Sequence, residues 1–446
     1  MPALRLLLCL LLTSAHGAFA ATAIVNVNVI PMADDTVLAA QTVIVSNGRI
    51  EALGPVDELP VPAGYTLVDG TDRYLIPGLG EMHAHVPAVD SADLDRILTL
   101  FAANGVTTVR GMLGRPSHLA LRDELAEGSR FGPRLVTSGP SLNGNSVSGV
   151  TDARRKVQAQ HAAGYDFVKI HPGLEAREFA AIAETANALG MPFAGHVPAS
   201  VGVAGALSLG MASIDHLDGY MAAMLPKHAD GAGGFGGFFG VLLADKIDPE
   251  LLDDLVVATA AAGTWNVPTQ TLIEQYIDAT PVAELTARSD MDYMPAATVR
   301  RWGEAKRELL GESGYRRELA EQAIQVRRRL IRELYRSGGR LLLGSDAPQV
   351  FNVPGHSAHH ELELYVAAGL TPFEALSTGT RNVAEFLGLD AGRIEPGRLA
   401  DLVLLDDNPL QDISNVRRVH GVMLEGRWYP DGLLQQKLEA LKKRRD

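Results

Sequence analysis

Short apolar runs alternate with longer amphipathic segments between residues 79 and 390. In the longer segments apolar positions recur at helical spacing, as in AREFAAIAETANALG at 176–190. Eight strand–helix repeats predict an α/β fold, a closed (β/α)8 TIM barrel, although a doubly wound open sheet also alternates. The eight runs are EMHAHV, VTTVRGM, RLVTSGPS, DFVKIHP, PFAGHV, SIDHLDG, TWNVPTQ and RLLLGSDAP.

Both ends of the chain have the alternating pattern of strands. ATAIVNVNVIPM and QTVIVSNGRIEALG near the start predict a hairpin around an Asn-Gly turn, and ADLVLLD and VHGVMLEGRWY near the end are also strand-like. We therefore predict a small β-sandwich domain built from residues 21–78 and 391–433. It would pack beside a barrel of residues 79–390, and residues 434–446 would form a basic tail as a solvated helix.

The first twenty residues are typical of a secretory signal peptide. Arg5 precedes the apolar run LLLCLLL, and AFA at 18–20 offers small residues for cleavage. The run is too short to span a bilayer, and a buried N-terminal helix is the alternative. Cys9 is the only cysteine and lies in this segment, so the mature chain would lack disulfides. A periplasmic or secreted location is expected.

Composition and charge narrow the class of partner. The 446 residues are 46% hydrophobic and 21% charged, which is ordinary for a globular protein with a large core. A net charge of -13 argues against a nucleic-acid partner, because phosphate binding relies on Lys and Arg. We expect a small-molecule substrate and no stable membrane anchor. The oligomeric state is left open, a homo-oligomer included.

Two insertions interrupt the alternation of runs. A Gly/Phe-rich segment at 225–240 follows the sixth run, and a charged segment at 277–314 follows the seventh. Both leave the C-terminal ends of predicted strands, where barrels carry their active sites. They are predicted lids or substrate walls, with plain surface elaboration as the alternative.

Polar residues that bind metals well stand at the ends of the runs. His83 and His85 are two residues apart, so in a strand both imidazoles point to one face. Parallel strands of a barrel end at the same mouth, so residues from later runs would join them there. Imidazoles and a carboxylate are ligands for Zn, Mn, Co or Fe. The later residues are Lys169, His196, His216 and Asp346.

Lys169 is unusual among these residues because a cationic ammonium repels a metal ion. It lies inside the apolar run DFVKIHP, and burial lowers the pKa of a lysine. A neutral amine can react with carbon dioxide to form a carbamate, an anionic ligand with two oxygens that can bridge two metal ions. The alternative is an ion pair of Lys169 with Asp166 or Asp346.

The order HxH, Lys, His, His, Asp resembles the amidohydrolase superfamily over nearly the whole mature chain. LIPGLGEMHAHV resembles the first-strand signature, and GRIEPGRLADLVLLDDNPL resembles the return into the small β-sandwich. AHHELELYVAAGLTPFEALSTGTRNVAEFLGL is similar to imidazolonepropionase-like members. YDFVKI, AGHVP and SIDHLDGY resemble the branch with a bridging carboxylated lysine, which includes prolidase-like enzymes, other dipeptidase-like enzymes and ochratoxin-type amidases.

This resemblance implies a two-metal site. His83 and His85 would bind the more buried ion together with Asp346. His196 and His216 would bind the second ion, and Lys169 as its carbamate would bridge the pair. Two zinc ions per chain are expected, with Mn, Co or Fe as alternatives and one ion in an imidazolonepropionase-like arrangement. Asp346 would be catalytic, taking a proton from a bridging hydroxide and passing it to the leaving nitrogen.

Four further residues are candidates for substrate binding. Arg110 ends the second run and could meet a substrate carboxylate, or else form a salt bridge to a neighbouring strand end. Tyr220 could donate to the substrate carbonyl, and His171 shares a strand face with Lys169. His359 is a candidate whose alternative is a structural role at a helix start. The phenylalanines of the Gly/Phe-rich segment could cover an apolar substrate or pack in the core.

The function expected is metal-dependent hydrolysis of a C–N bond in a small substrate such as a dipeptide or an N-acyl amino acid. A lactonase, a phosphotriesterase or a cyclic-amidine hydrolase could use the same metal ligands. A binding protein without activity is the alternative from another class, and the intact ligand set argues against it.

The mature protein is predicted to begin near Ala21, because small residues at 18–20 follow the apolar run. N-terminal sequencing of exported protein tests this. Recovery of an intact Met1 in the exported fraction would contradict it.

Overall fold

The computed structural model describes residues 21–226, 237–312, 314–338 and 340–442. The predicted signal peptide, residues 227–236 of the Gly/Phe-rich segment and the last four residues lie outside these ranges. Within the described ranges, no helix combines the length and the apolar character needed to cross a membrane.

The described residues form sixteen strands, which are numbered here in chain order. They are β1 (Thr22–Val29), β2 (Leu38–Ser46), β3 (Arg49–Pro55), β4 (Thr66–Asp69), β5 (Tyr74–Pro77), β6 (Leu79–Ala84), β7 (Val106–Gly111), β8 (Arg134–Thr137), β9 (Val168–Ile170), β10 (Phe193–Gly195), β11 (Ser213–Asp215), β12 (Trp265–Val267), β13 (Arg340–Leu341), β14 (Leu402–Leu405), β15 (Val419–Leu424) and β16 (Arg427–Pro430).

Fifteen α-helices are described as well. They are α1 (Leu94–Ala103), α2 (Ser117–Glu127), α3 (Val150–Ala163), α4 (Ala176–Ala188), α5 (Gly202–Ser208), α6 (Tyr220–Ala223), α7 (Leu251–Ala262), α8 (Gln270–Ile277), α9 (Val282–Thr286), α10 (Ala296–Gly311), α11 (Arg317–Arg336), α12 (His356–Ala367), α13 (Pro372–Gly379), α14 (Arg381–Leu387) and α15 (Asp431–Lys442).

One sheet combines strands from both ends of the chain. Its order is β16-β15-β14-β5-β1-β2-β3, with β4 beside β1, and the antiparallel pair β5–β14 joins the two ends. The hairpin between β2 and β3 turns at Asn47 and Gly48, which both have positive φ, as the Asn-Gly pattern predicts. Apolar side chains of these strands pack in a core of their own, which includes Ile24, Leu75 and Met423.

The eight apolar runs of the middle segment contain the strands β6 to β13. They pair in parallel as β6-β7-β8 and as β9-β10-β11-β12-β13, so the strand order follows the chain without the reversal of a doubly wound sheet. An isolated parallel bridge between Ser138 and Phe167 links β8 to β9. Another, between Ala84 and Ala347, links β6 to the segment after β13. The α/β class is confirmed.

The helices alternate with these strands, and several bury one face. In α11, residues Leu330, Ile331 and Leu334 are fully buried, which is the spacing of a helix that packs one apolar stripe on a core. The insertion at 277–314 contains α9, a 3₁₀ helix (Ser289–Tyr293) and α10. It is thus an ordered helical addition that follows β12 and α8.

The C-terminal segment corrects one expectation. Residues Asp431–Lys442 do form a helix, but its Leu434, Leu438 and Leu441 are buried, and it packs on α1 and β15. Apolar residues at spacings of four and three make one stripe along the helix. The prediction of a solvated tail is therefore wrong for this face of α15.

Candidate metal centre

A cavity of about 290 Å³ lies at the C-terminal ends of the parallel strands. One side of it is polar, and Phe238, Phe239, Leu272 and Tyr276 form an apolar wall opposite. The polar side consists of His83, His85, His171, His196, His216 and Asp346. The convergence expected from the strand ends is what the structure shows.

These side chains belong to residues near the C-terminal end of a strand or in the segment that follows it. His83 lies inside β6, while His196 and His216 directly follow β10 and β11. His216 and Asp346 adopt φ of 64° and 65°, a left-handed conformation that non-glycine residues seldom take. Such conformations persist where the surrounding structure fixes them, and they often mark functional sites.

His83, His85 and Asp346 form a group that could hold one ion. Their ligand atoms lie within 4.8 Å of one another. Asp346 Oδ1 is 2.7 Å from His85 Nε2 and 3.5 Å from His83 Nε2. Among the described residues Asp346 Oδ1 makes no hydrogen bond, although it is buried. A buried carboxylate oxygen between two imidazole nitrogens is a donor set that suits a divalent cation.

His216 extends this group toward a second pair of imidazoles. Its ring centre lies 4.5 Å from that of His83 and 4.7 Å from that of His196, and His171 stacks on His196 at 5.1 Å. Burial lowers the pKa of His83 and of His216 well below the usual value. Both imidazoles are therefore neutral, the form in which histidine binds a metal.

Three of the histidines are oriented through Nδ1, which leaves Nε2 for a ligand. His83 Nδ1 lies 2.9 Å from Asp215 Oδ2, and His216 Nδ1 lies 2.8 Å from Thr269 Oγ1. His196 Nδ1 lies 3.1 Å from a carboxylate oxygen of Asp218. Metal-binding histidines commonly have such a partner.

These partners were not predicted from the sequence. Asp215 and Asp218 flank His216 in SIDHLDGY, and acidic residues around a candidate ligand are a signal that could have found them. Thr269 gives no such signal, because it reaches His216 from the segment after β12.

Glu81 is another residue that sequence reasoning missed. Its Oε1 accepts hydrogen bonds from the backbone nitrogens of His83 and Ser345, at 2.9 and 2.8 Å, and Oε2 accepts from Ser345 Oγ at 2.6 Å. The carboxyl group thus ties β6 to the segment after β13 and sets the spacing of His83 and Asp346. Burial raises the pKa of Glu81 to about 7.

Lys169 is completely buried in β9. Its Nζ makes no hydrogen bond within the described residues, and it lies 3.7 Å from Asp215 Oδ2. Burial lowers the pKa of Lys169 to about 8. The alternative pairing expected from the sequence is not formed, because Asp166 pairs with Arg122 and Asp346 lies against His85.

Arg110 does not reach the cavity, which corrects its predicted role in substrate binding. The side chain is 1% exposed, and its Nη2 donates to Asp215 Oδ1 at 3.1 Å. The rings of Phe167 and Phe386 cover the two faces of the guanidinium at 5.5 and 5.0 Å. Arg110 borders a different cavity of about 520 Å³ near the N-terminal ends of β10, β11 and β12. The salt-bridge alternative is what the structure shows.

Tyr220 and His359 are also corrected, because both are buried away from the cavity. The hydroxyl of Tyr220 donates to Asn266 Oδ1 at 2.9 Å. His359 Nε2 lies 2.8 Å from the carbonyl oxygen of Asn104. Each side chain thus connects elements of the core and cannot meet a substrate at the cavity.

His171 and part of the Gly/Phe-rich segment do line the cavity. Burial lowers the pKa of His171 to about 3, so this imidazole is neutral. Phe239 lies against His216 in a tilted arrangement with ring centres 4.7 Å apart, and Phe238 lies beside Tyr276. His171 remains a candidate for substrate binding. The two phenylalanines line the cavity and also pack against the apolar core, which agrees with both alternatives that the sequence offered.

Gly195→Ala is predicted to disrupt the centre. An added Cβ would collide with the Ile170 carbonyl oxygen and lie 2.9–3.0 Å from Lys169 Cδ and Nζ, at a φ of 127°. Gly190→Ala is the matched control, because its φ is also positive but nothing lies within 4 Å of the added atom. We expect the metal content, measured by elemental analysis, to fall in the first variant alone. Equal metal content in both variants would contradict this prediction.

Comparison with known proteins identifies the family. The profile described as "Amidohydrolase family" matches residues 74–429. The crystal structure of a putative prolidase from Bifidobacterium longum superposes with a TM-score of 0.69 at 23% identity, covering 95% of this chain and 99% of that one. Bottromycin amidohydrolase gives a TM-score of 0.74 at 23% identity, covering 96% and 92%. A Xaa-Pro dipeptidase gives 0.68 at 20% identity, covering 92% and 100%.

A further likeness is confined to a short segment. Adenine deaminase of Nitratidesulfovibrio vulgaris is 46% identical over 54 residues, which is 12% of this chain and 9% of that protein. The structural likenesses are below 25% identity and show the fold alone. The family profile, in contrast, covers most of the chain, including the segments that carry His83, Lys169, His216 and Asp346. The chain belongs to the amidohydrolase family.

Proposed function

We propose that the protein is a metal-dependent amidohydrolase that cleaves a C–N bond of a small substrate such as a dipeptide or an N-acyl amino acid. The observation that carries this proposal is the convergence of five histidines and Asp346 on one cavity of about 290 Å³, with Lys169 buried nearby. A cavity of this size is at the lower end of the range for small-molecule sites. Its location at the C-terminal ends of parallel strands agrees with such a role.

The proposal also includes a closed (β/α)8 barrel. The two parallel sheets, bridged at Ser138–Phe167 and at Ala84–Ala347, would be parts of one (β/α)8 barrel. Residues at the C-terminal mouth of such a barrel come from several strands, which is how one cavity can collect ligands from β6, β10, β11 and the end of β13.

The residues fit two divalent ions, most simply zinc. His83, His85 and Asp346 would hold one ion, and His196 and His216 would hold the second. When bound, such ions supply an activated water and polarise the carbonyl of the substrate. The neutral state of His83 and His216 and the Nδ1 partners of three histidines prepare the protein for this donor set.

Lys169 would complete the site as a carbamate that bridges the ions. The amine nitrogen bonds to the carbon of carbon dioxide and releases one proton, so the product carries one negative charge over two oxygens. Two observations support this modification: Nζ makes no hydrogen bond in the described residues, and burial lowers the pKa of Lys169 to about 8. An amine of that pKa is unprotonated in part at neutral pH.

Asp346 is the proposed proton carrier. It takes a proton from the attacking water and gives it to the leaving nitrogen, which makes the amine a better leaving group. His171 lines the cavity as a neutral imidazole and could donate a hydrogen bond to the substrate carbonyl. Phe238, Phe239 and Tyr276 offer an apolar wall for a side chain of the substrate.

A second candidate function is hydrolysis of a cyclic amidine. The short likeness to adenine deaminase favours including this class, because a deaminase also breaks a C–N bond. The same ligand set would serve both reactions. A periplasmic or secreted location remains part of the proposal, on the pattern of the first twenty residues.

A turnover screen with the metal-loaded protein tests the function. We expect hydrolysis of dipeptides or N-acyl amino acids and a decrease of kcat by about 10²–10⁴-fold in Asp346→Asn, the usual contribution of a general acid–base group. Asp401→Asn makes the same chemical change at a carboxylate that is 6% exposed and outside the cavity, so it should keep wild-type kcat. Turnover of adenine or a lactone instead would select another substrate class. An Asp346→Asn enzyme within a few-fold of wild type would remove Asp346 from the mechanism.

Lys169→Ala is predicted to lose both metal and activity, and formate or acetate should restore part of each, because they supply two similar oxygens. Lys306→Ala is the control, since Lys306 is equally buried but pairs with Asp278 outside the metal centre. It should lose stability and keep its metal. Elemental analysis and turnover, with and without added carboxylate, measure the effects. Wild-type metal content and activity in Lys169→Ala without a carboxylate would disprove the bridging role.

A further inference from the structure

Arg110 and Asp215 form an ion pair in the interior, between the two parallel sheets. Arg110 belongs to β7 of the three-stranded sheet, and Asp215 ends β11 of the five-stranded sheet. Asp215 is fully buried and Arg110 is 1% exposed. Buried charges are retained at a desolvation cost, and removal of one partner leaves the other uncompensated. The pair is therefore expected to have a role that an apolar pair could not fill.

Asp215 is held by its neighbours through Oδ1, and Oδ2 is left facing His83. Oδ1 accepts hydrogen bonds from Arg110 Nη2 at 3.1 Å and from Ser213 Oγ at 2.9 Å. Oδ2 lies 2.9 Å from His83 Nδ1. With Oδ1 fixed on one side, Oδ2 faces His83 Nδ1, and neither of these two buried atoms makes a hydrogen bond within the described residues.

Arg110 is hydrogen-bonded to residues on two sides of His83, the preceding residue Met82 and the neighbouring Asp215. Its Nε donates to the carbonyl oxygen of Met82, the residue before His83, at 2.6 Å. Its Nη1 donates to Ser213 Oγ at 3.0 Å. The guanidinium therefore contacts Asp215 directly and also contacts Ser213, the other residue that donates to Asp215. The planar fork of arginine can make these three contacts at once, whereas the ammonium of a lysine at this position could not reach all of them.

We propose that Arg110 and Asp215 are positioning residues of the metal centre: Arg110 fixes Asp215, and Asp215 holds the proton of His83 on Nδ1, so that Nε2 of His83 faces the ion. The inference rests on the proposed function only in assigning His83 to a metal. It does not depend on which bond the enzyme cleaves.

The His83 partner differs from the partners of the other two oriented histidines. Asp218, beside His196, has a side chain that is 22% exposed, and Thr269, beside His216, is neutral. Asp215 is a fully buried carboxylate whose Oδ2 lies 2.9 Å from His83 Nδ1, and the attraction between a carboxylate and an imidazole N–H is stronger in such surroundings. Loss of this partner should therefore loosen the ion held by His83, His85 and Asp346 more than a change at Asp218 would.

Asp215 and Lys169 form a buried ion pair without a hydrogen bond. Lys169 Nζ is 3.7 Å from Asp215 Oδ2, too far for a hydrogen bond, while His83 occupies that oxygen at 2.9 Å. If Arg110 no longer held Oδ1, the carboxylate could turn toward the lysine. Arg110 thus keeps the lysine nitrogen available for the modification proposed above.

The test compares Asp215→Asn and Arg110→Lys with the wild type. Second partners of metal ligands typically contribute 10–100-fold to metal affinity, so we expect metal release to a chelator to be faster by about that factor in both variants. We also expect the downfield proton resonance of His83 Nδ1–H, assigned by its loss in His83→Gln, to disappear in metal-free Asp215→Asn. Arg134→Lys is the matched control, because Arg134 pairs with Asp401 and Glu425 outside the cavity. It should keep the wild-type release rate and resonance.

The outcomes separate positioning from simple stabilisation. Lower thermal stability with wild-type metal release and an unchanged resonance in both variants would overturn the proposal. If either variant fails to fold, Ser213→Ala decides, because it removes one hydrogen bond to Asp215 and should speed metal release by about two- to tenfold. Wild-type release in Ser213→Ala would then count against the proposal. If the wild type binds no divalent ion, the proposed function fails, while the resonance of the metal-free protein still tests the orientation of His83.

Discussion

Compensation of buried charge is the constraint on which the rest of this structure depends. Several charged or titratable side chains are fully buried near the ends of the parallel strands, among them Glu81, Arg110, Lys169 and Asp215. A buried ionic group without a partner is costly, so each must be paired or neutral. Glu81 and Arg110 meet this demand through hydrogen bonds to the backbone, to serines and to Asp215 Oδ1. Lys169 Nζ and Asp346 Oδ1 make no hydrogen bond within the described residues, although Lys169 has an ion-pair contact with Asp215 at 3.7 Å and Asp346 has one with His85 at 2.7 Å. An external group would bind beside these two atoms.

The same contacts hold the two parallel sheets in register. Arg110 of β7 contacts Met82 of β6 and Asp215 of β11, and Glu81 of β6 contacts Ser345 after β13. These links run between strands that are far apart in the chain, so they fix the relative height of the strand ends. The geometry of the cavity therefore follows from polar contacts beneath it, as well as from packing of the apolar runs.

The sequence predicted the parts of this arrangement that depend on local pattern. Eight apolar runs gave eight strands, and their terminal residues His83, His196, His216 and Asp346 did converge, because parallel strands place their ends together. The prediction failed where the direction of a side chain, or a contact between residues far apart in the sequence, decided the outcome. Arg110 lies at a strand end like the others, but its partner Asp215 is 105 residues away, and nothing local indicates it.

Asp215 itself was missed for a physical reason. Adjacent residues of a strand point to opposite faces, so a strand that aims His216 at the cavity should turn Asp215 away from it. The left-handed conformation of His216 breaks this alternation directly after β11, and both side chains end in the same buried network. Charge was misleading at the other end of the chain. The basic residues of α15 suggested a solvated helix, although Leu434 and Leu438 pack on the core.

Because Arg110 lies outside the cavity, it cannot contribute to recognition of a substrate carboxylate there. A guanidinium at the cavity would have selected a substrate carboxylate, but this one is already committed to Asp215 and covered by two phenyl rings. The described lining of the cavity contains no other arginine, and His171 is a neutral imidazole because burial lowers its pKa to about 3. Apart from the proposed ions, the described wall offers apolar contact through Phe238, Phe239, Leu272 and Tyr276, together with the uncharged amide of Gln349. Specificity for an apolar side chain beside the scissile bond thus follows more directly from this cavity than specificity for charge.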